Sequence, residues 1–346
     1  MTDLFGLAGK RIIRFDGAIG TVLSERAGRG LLSETLLFSK DGIDLVRGLH
    51  AEYADAGADI ITTNTFAANR IVFEREGIAA DVGSTVRTAV DVAREASEGR
   101  CLIAGSVGPL NLGLQRSDFS DEMLEDIFSE PIRAFAAAGA DLLKLETFAD
   151  PVEAVAALRA ALTSGLPVVF LVHGWRSGRE QDLVRWEPVL RFAEENGATA
   201  AGCNCAPPAD ALHTLRMLRN ATGLPLAVLP NSGTPMIERG AVTWQEPAEG
   251  LPAWYRRFVE SGARIVGGCC GTTPDHMREV YGSADAAGLG PVTEERRVSR
   301  AAAGAVAVSA RTENPLRTML ASERPLVSVE IRFGASRGLG SVLESC

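Results

Sequence analysis

"YADAGADIITTNTF", residues 53–66, decides how the rest of the chain is read. Its first half has the composition of a helix end, Gly57 suits the left-handed turn that closes a helix, and the apolar run after it reads as a strand buried on both faces. The phrase returns as "FAAAGADLLKLETF" at 135–148, "EENGATAAGCNC" at 194–205 and "VESGARIVGGCC" at 259–270. Between these lie "RIIRFDG", "CLIAGSVGP", "PVVFLVHG" and "PLAVLPN", further short apolar strands ending in Gly, Pro or Asn, which brings the count to eight. Helical patterns are expected at 43–56, 84–98, 121–138, 151–164, 186–196, 208–220, 250–261 and 274–286. Strand and helix alternating eight times predict a (β/α)8 barrel with right-handed crossovers. A doubly wound open sheet shares the alternation, but the count of eight and the lack of a Gly-x-Gly-x-x-Gly turn after the first strand favour the barrel.

Composition bounds the function. Of the 346 residues, 46% are hydrophobic and 23% charged, ordinary values for a globular protein with ample core. A net charge of −9, with arginines scattered rather than gathered into a stripe, argues against a nucleic-acid partner. The first residues lack the pattern of a signal peptide, and no apolar run is long enough to span a membrane. A cytoplasmic location is therefore expected, where clustered cysteines more often mean metal or catalysis than disulfides.

Active sites of barrels sit at the C-terminal ends of the strands. Those ends carry Asp16-Gly17, Asn64-Thr65, Gly105-Ser106, Glu146-Thr147, His173, Asn204-Cys205, Asn231 and Cys269-Cys270. Three thiols, Cys205, Cys269 and Cys270, thus fall on one rim. Thiolate selects Zn²⁺, and a catalytic zinc typically keeps three protein ligands and one open position. Both members of a Cys-Cys pair can reach one ion only where the strand has ended or bulged, and Gly267, Gly268 and Gly271 supply such backbone. The competing reading, cysteines filling core space, is preferred for Cys203, placed one layer beneath Cys205 on the same strand face, and for Cys101. Cys346 has no evident role. His173 is read as a hydrogen-bonded structural histidine.

"FDGAIGT", "ADIITTNTFAANR", "GSVGP", "LLKLETF", "GCNCAPP", "LPNSGTP" and "GGCCGTTP" together resemble the zinc-dependent homocysteine S-methyltransferase family over residues 11 to about 285. "TNTF" and "GGCCGTTP" look most like the homocysteine domain of cobalamin-dependent methionine synthase and of related bacterial bifunctional proteins. The resemblance implies a (β/α)8 barrel whose zinc ligands are Cys205, Cys269 and Cys270, the catalytic residues. It implies that Asp16 and Glu146 bind the homocysteine amino group, that backbone at Gly17 and Ser106 lies near the amino-acid end, and that Asn231 can lie at the zinc when substrate is absent. The implied partners are homocysteine and a methyl donor: methylfolate, methylcobalamin, S-methylmethionine or S-adenosylmethionine. Neither a cobalamin motif nor a second barrel is found, so a reductase or cobalamin partner domain is a possible companion.

The chemistry fits on its own terms. Three thiolates on Zn²⁺ leave a net charge near −1, which suits activation of an incoming thiol better than generation of hydroxide. The rival enzymatic reading, a zinc hydrolase, needs a general base beside the metal, and the chain has only four histidines and no HExxH motif. A non-enzymatic zinc-stabilised thiol- or amino-acid-binding barrel is the other alternative. The expected domains are a barrel at 1–286, then a linker and tail at 287–346. Within the tail, "LRTMLASERPLVSVEIRF" resembles the start of a methylenetetrahydrofolate reductase domain.

Overall fold

Gly57, Gly139, Gly197 and Gly262, the glycines of the recurring phrase, all adopt positive φ, between 75° and 104°. Each ends a helix and releases the chain into a strand. The residue two places on does a second job. Asp59 accepts the backbone N–H of Arg14 at 2.9 Å, Asp141 that of Ile103 at 2.8 Å and Thr199 that of Val168 at 3.1 Å. The phrase therefore also ties the base of each of these strands to the strand before it, satisfying an N–H that the ladder leaves free.

In this computed structural model, which describes residues 11–28, 32–112, 118–175, 181–238 and 241–286, the strands are β1 (Ile13–Arg14), β2 (Ile60–Thr62), β3 (Leu102–Val107), β4 (Leu142–Phe148), β5 (Val168–His173), β6 (Ala200–Asn204), β7 (Leu226–Leu229) and β10 (Ala263–Val266), with β8 (Thr234–Glu238) and β9 (Ala241–Gln245) forming a separate hairpin. The sheet runs β1-β10-β7-β6-β5-β4-β3-β2. All its pairs are parallel, and a parallel bridge between Phe15 and Ile60 joins its two ends. This is the expected (β/α)8 barrel.

The helices on its outside are α2 (Lys40–Asp55), α4 (Val82–Ser97), α5 (Asp121–Ala138), α6 (Pro151–Leu162), α7 (Gln181–Glu195), α8 (Pro208–Ala221), α9 (Leu251–Glu260) and α10 (Pro274–Ala286). Ser39, Asp81, Ser120 and Asp150 cap four of them by accepting a first-turn N–H. Strand side chains alternate between two buried layers. Ile13, Phe15, Ile60, Leu142, Leu171 and Ile265 fill the barrel, whereas Ile61, Ile103, Leu143, Phe170 and Val228 face the helices.

Several elements go beyond the sequence reading. A short α1 (Gly20–Arg26) and a 3-10 helix (Ser33–Phe38) follow β1, α3 (Arg70–Arg75) follows β2, and the antiparallel hairpin of β8 (Thr234–Glu238) and β9 (Ala241–Gln245) follows β7. All extend connections that leave the C-terminal ends of strands, where this fold builds its sites. No helix of the described residues is long and apolar enough to cross a membrane. Residues 287–346, read as linker and tail, lie outside the described residues.

Candidate functional site

β6 ends at Asn204 and β10 ends at Val266, so all three rim cysteines stand on irregular backbone just past strand ends. Cys205 adopts a φ of 57° and Gly271 one of 77°. The Sγ atoms of Cys205, Cys269 and Cys270 lie within 4.8 Å of one another, with 3.8 Å between Cys205 and Cys270 and 4.0 Å between Cys269 and Cys270. A tetrahedral ion with metal–sulfur bonds of about 2.3 Å has edges of about 3.8 Å, so the thiols stand at nearly the spacing of three corners. Among the described residues this is the one His, Cys, Asp and Glu group able to hold a metal.

Electrostatics point the same way. Hydrogen bonds to Cys269 and Cys270, reinforced by burial, raise the Cys205 thiol well above its usual range. At Cys269 a bond from Cys205 that lowers the pKa is outweighed by the bond to Cys270 and by burial, and the thiol is pushed up to about 12. Cys270, accepting from both, is pulled well below the usual range. A cation bound among the three thiols would favour the charged form of each.

The loop that carries the pair is held by main-chain and tyrosine contacts. Cys269 N–H donates to the Pro230 carbonyl at 2.7 Å, Ser232 N–H to the Cys270 carbonyl at 3.0 Å, and Gly268 N–H to the Asp16 carbonyl at 2.8 Å. The chain's three tyrosines are all buried and all serve this region. Tyr53 Oη lies 2.8 Å and 2.9 Å from the carbonyls of Ala18 and Thr272. Tyr255 donates to the Gly267 carbonyl and Tyr281 to that of Phe15. A Cβ at Gly17 would come within 2.7 Å of the Tyr53 hydroxyl, which is why glycine stands there.

Beside the thiols lies a buried polar network. Glu146 accepts the Ser106 hydroxyl at 2.6 Å, the Asn204 amide at 3.0 Å and the Lys144 ammonium at 3.0 Å. Asn204 Nδ2 also lies 2.9 Å from Thr147 Oγ1 and 3.7 Å from Cys269 Sγ, while its Oδ1 accepts the Thr147 N–H at 2.9 Å. That last bond holds Thr147 at a φ of 65°. Asp16 is wholly buried and accepts the N–H and hydroxyl of Thr62 at 2.6 Å and 2.7 Å. Desolvation pushes its pKa up to about 7 against the opposing pull of Lys144 and Thr62. Burial alone would lower the Lys144 pKa, but Glu146 and Asp16 more than offset it and the ammonium is raised.

The fold thus brings Cys205, Cys269, Cys270, Asp16, Ser106 and Glu146 to one mouth. Asn231 is buried there, its N–H on the Ala206 carbonyl at 2.9 Å and its side-chain Oδ1 without a hydrogen-bond partner. An orphaned acceptor beside three thiols fits a metal or substrate polar group. Asn64 turns away, its amide on the Ser33 carbonyl. His173 ends β5 as its exposed residue, its ring in a hydrogen bond with the Gly174 backbone. Its pKa is lowered by desolvation, partly countered by Cys269. Cys203 is core as read but on the other face. It packs in the outer layer with its Sγ on the Ala211 carbonyl at 3.6 Å, because Cys205 has left the strand and the two-residue alternation no longer relates them. Cys101 is buried with its Sγ on the Ala58 carbonyl. Cys346 lies outside the described residues. The sequence reading places Asn204 on the rim without a role and passes over Lys144, although a lysine inside an apolar strand is a signal.

Comparison with known proteins agrees with this fold. The chain is 30% identical over 298 residues to a methionine synthase of Mycobacterium leprae, a match that covers 81% of this chain and 25% of that protein. It is 30% identical over 299 residues to a homocysteine S-methyltransferase of Escherichia coli, covering 76% of this chain and 92% of that one. The metallated form of the E. coli homocysteine methyltransferase MmuM superposes with a TM-score of 0.64 at 25% identity, covering 80% of this chain and 98% of that chain. The chain spans about a quarter of the methionine synthases it matches. The sequence model of homocysteine S-methyltransferases matches residues 13–283, all eight strands included, and the chain belongs to the homocysteine S-methyltransferase family.

Proposed function

We propose that this barrel moves a methyl group from an activated donor to the thiol of homocysteine, giving methionine, with zinc held by Cys205, Cys269 and Cys270. The observation that carries the reading is the thiol triad, spaced as three corners of a tetrahedron with carboxylates alongside. Bound zinc would supply a thiolate form of the substrate at neutral pH that is still electron-rich enough to attack a methyl group.

The protein's own residues orient that thiol. Glu146, with Asp16 beneath, offers negative charge to the substrate ammonium through charge-assisted hydrogen bonds, and holding both ends of the substrate converts an encounter into an aligned displacement. Ser106 and Asn204 fix the Glu146 carboxylate from two sides. Asn231 Oδ1, buried without a hydrogen-bond partner, would be available to a bound metal or to the substrate. Gly17 lets the first loop pack against Tyr53 and so places Asp16. Thiols need a reducing compartment to stay metal-competent, which supports a cytoplasmic location.

The donor is methylfolate, methylcobalamin, S-methylmethionine or S-adenosylmethionine, taken as a free molecule or presented by a partner domain. Zinc-loaded protein offered homocysteine and each donor in parallel should yield methionine by mass spectrometry with one of them. No methionine from any donor, with one zinc bound per chain, would overturn the reading of this chain as a transferase that acts alone on a free donor.

A further inference from the structure

The barrel holds an ammonium of its own at the place where a substrate ammonium is proposed to bind. Alternation along β4 puts Leu142, Lys144 and Glu146 on the inner face, and Leu142 is part of the inner core. The Lys144 side chain is only 4% exposed. Its Nζ lies 3.0 Å from Glu146 Oε2, 3.5 Å from Thr62 Oγ1 and 5.5 Å from the centre of the Phe15 ring. Thr62 in turn holds Asp16. One lysine therefore pairs with Glu146 and reaches Asp16 through the Thr62 hydroxyl, and a buried ammonium needs such partners.

This changes what the mouth can select. A carboxylate has about four acceptor sites, and Glu146 already receives Ser106, Asn204 and Lys144. An incoming ammonium would share what remains and meet a like charge beside it. Two carboxylates and one ammonium leave at most one net negative charge for the substrate to neutralise. We infer that Lys144 is a specificity-determining residue whose ammonium part-fills the Asp16–Glu146 cradle, so that the site also accepts thiols carrying a carboxylate but no ammonium. This rests on the reading that the thiol goes to the cysteine triad and its head group to the cradle.

Isothermal titration of the zinc-loaded full chain with homocysteine and with γ-mercaptobutyrate, which differs only by lacking the amino group, tests it. The wild type should bind the two within about tenfold of each other. Lys144→Met should shift the ratio toward homocysteine by about tenfold or more, and Lys144→Arg should keep the wild-type ratio. An unchanged ratio in Lys144→Met would overturn the inference, whether neither affinity moves or both weaken together as for a lysine that reads the carboxylate. So would a wild-type preference for homocysteine clearly above about tenfold, a result that needs no variant to fold. Binding of neither thiol by the zinc-loaded wild type would instead remove the underlying reading, and this inference with it.

Discussion

Asn204 gives its side-chain amide to Glu146 at 3.0 Å while the same nitrogen lies 3.7 Å from the Cys269 sulfur. One buried residue thus couples the carboxylate proposed to read the substrate to a thiol proposed to hold the metal. Asn204→Ala leaves the Thr147 N–H and one face of Glu146 without their partner, at a cost of about 1–3 kcal/mol. Zinc should remain bound, while homocysteine affinity falls by roughly tenfold. Titration calorimetry with and without the substitution checks this, and equal affinity would make Asn204 a purely structural residue.

Gly271 combines a φ of 77° with a site where any Cβ would run into Ser232 and the Trp244 ring. Gly271→Ala should cost at least about 1–2 kcal/mol and displace the loop carrying Cys269 and Cys270. Zinc affinity, measured by competition with a chelator, should fall further than the affinity of Gly20→Ala, where nothing stands within reach of the added methyl.

Cys270→Ala removes one corner of the triad and should abolish stoichiometric zinc binding. The barrel should still fold, because its two apolar layers do not involve the thiols of the triad. Metal analysis with circular dichroism separates this from a structural zinc, for which the variant would lose its secondary structure.

His50, on α2, is wholly buried and neither ring nitrogen has a hydrogen-bond partner. Burial lowers its pKa from 6.5 to about 4. Between those values the unfolded chain takes up a proton that the folded chain refuses. The stability is complete above about pH 6.5 and is lost as pH falls toward 4, by up to about 3 kcal/mol. Denaturant unfolding at about pH 7.5 and pH 5 should show the wild type losing about 2 kcal/mol more than His50→Leu. Equal losses would mean that His50 finds a partner when protonated.

The barrel was legible because its signals are local and repeated. A glycine closing a helix and a buried strand starting at once left four copies of one phrase, and all four glycines are left-handed. The triad was legible because strand ends converge in this fold. Lys144 was harder, since its meaning comes from Glu146 on its own strand and Thr62 on another, a pairing set only by barrel closure. Cys203 faces the helices rather than sharing a face with Cys205, because the two-residue period does not carry across the end of β6 into a residue with positive φ. The hairpin of β8 and β9 lacks a clean apolar alternation, as Met236 and Ile237 are both exposed.

The central claim is that three cysteines hold zinc and leave its fourth position for the substrate thiol. X-ray absorption at the zinc edge, recorded on the zinc-loaded chain before and after homocysteine is added, tests it most directly. The account predicts three sulfur ligands and one lighter atom at first, and four sulfurs afterwards. An unchanged spectrum in the presence of saturating homocysteine would contradict it.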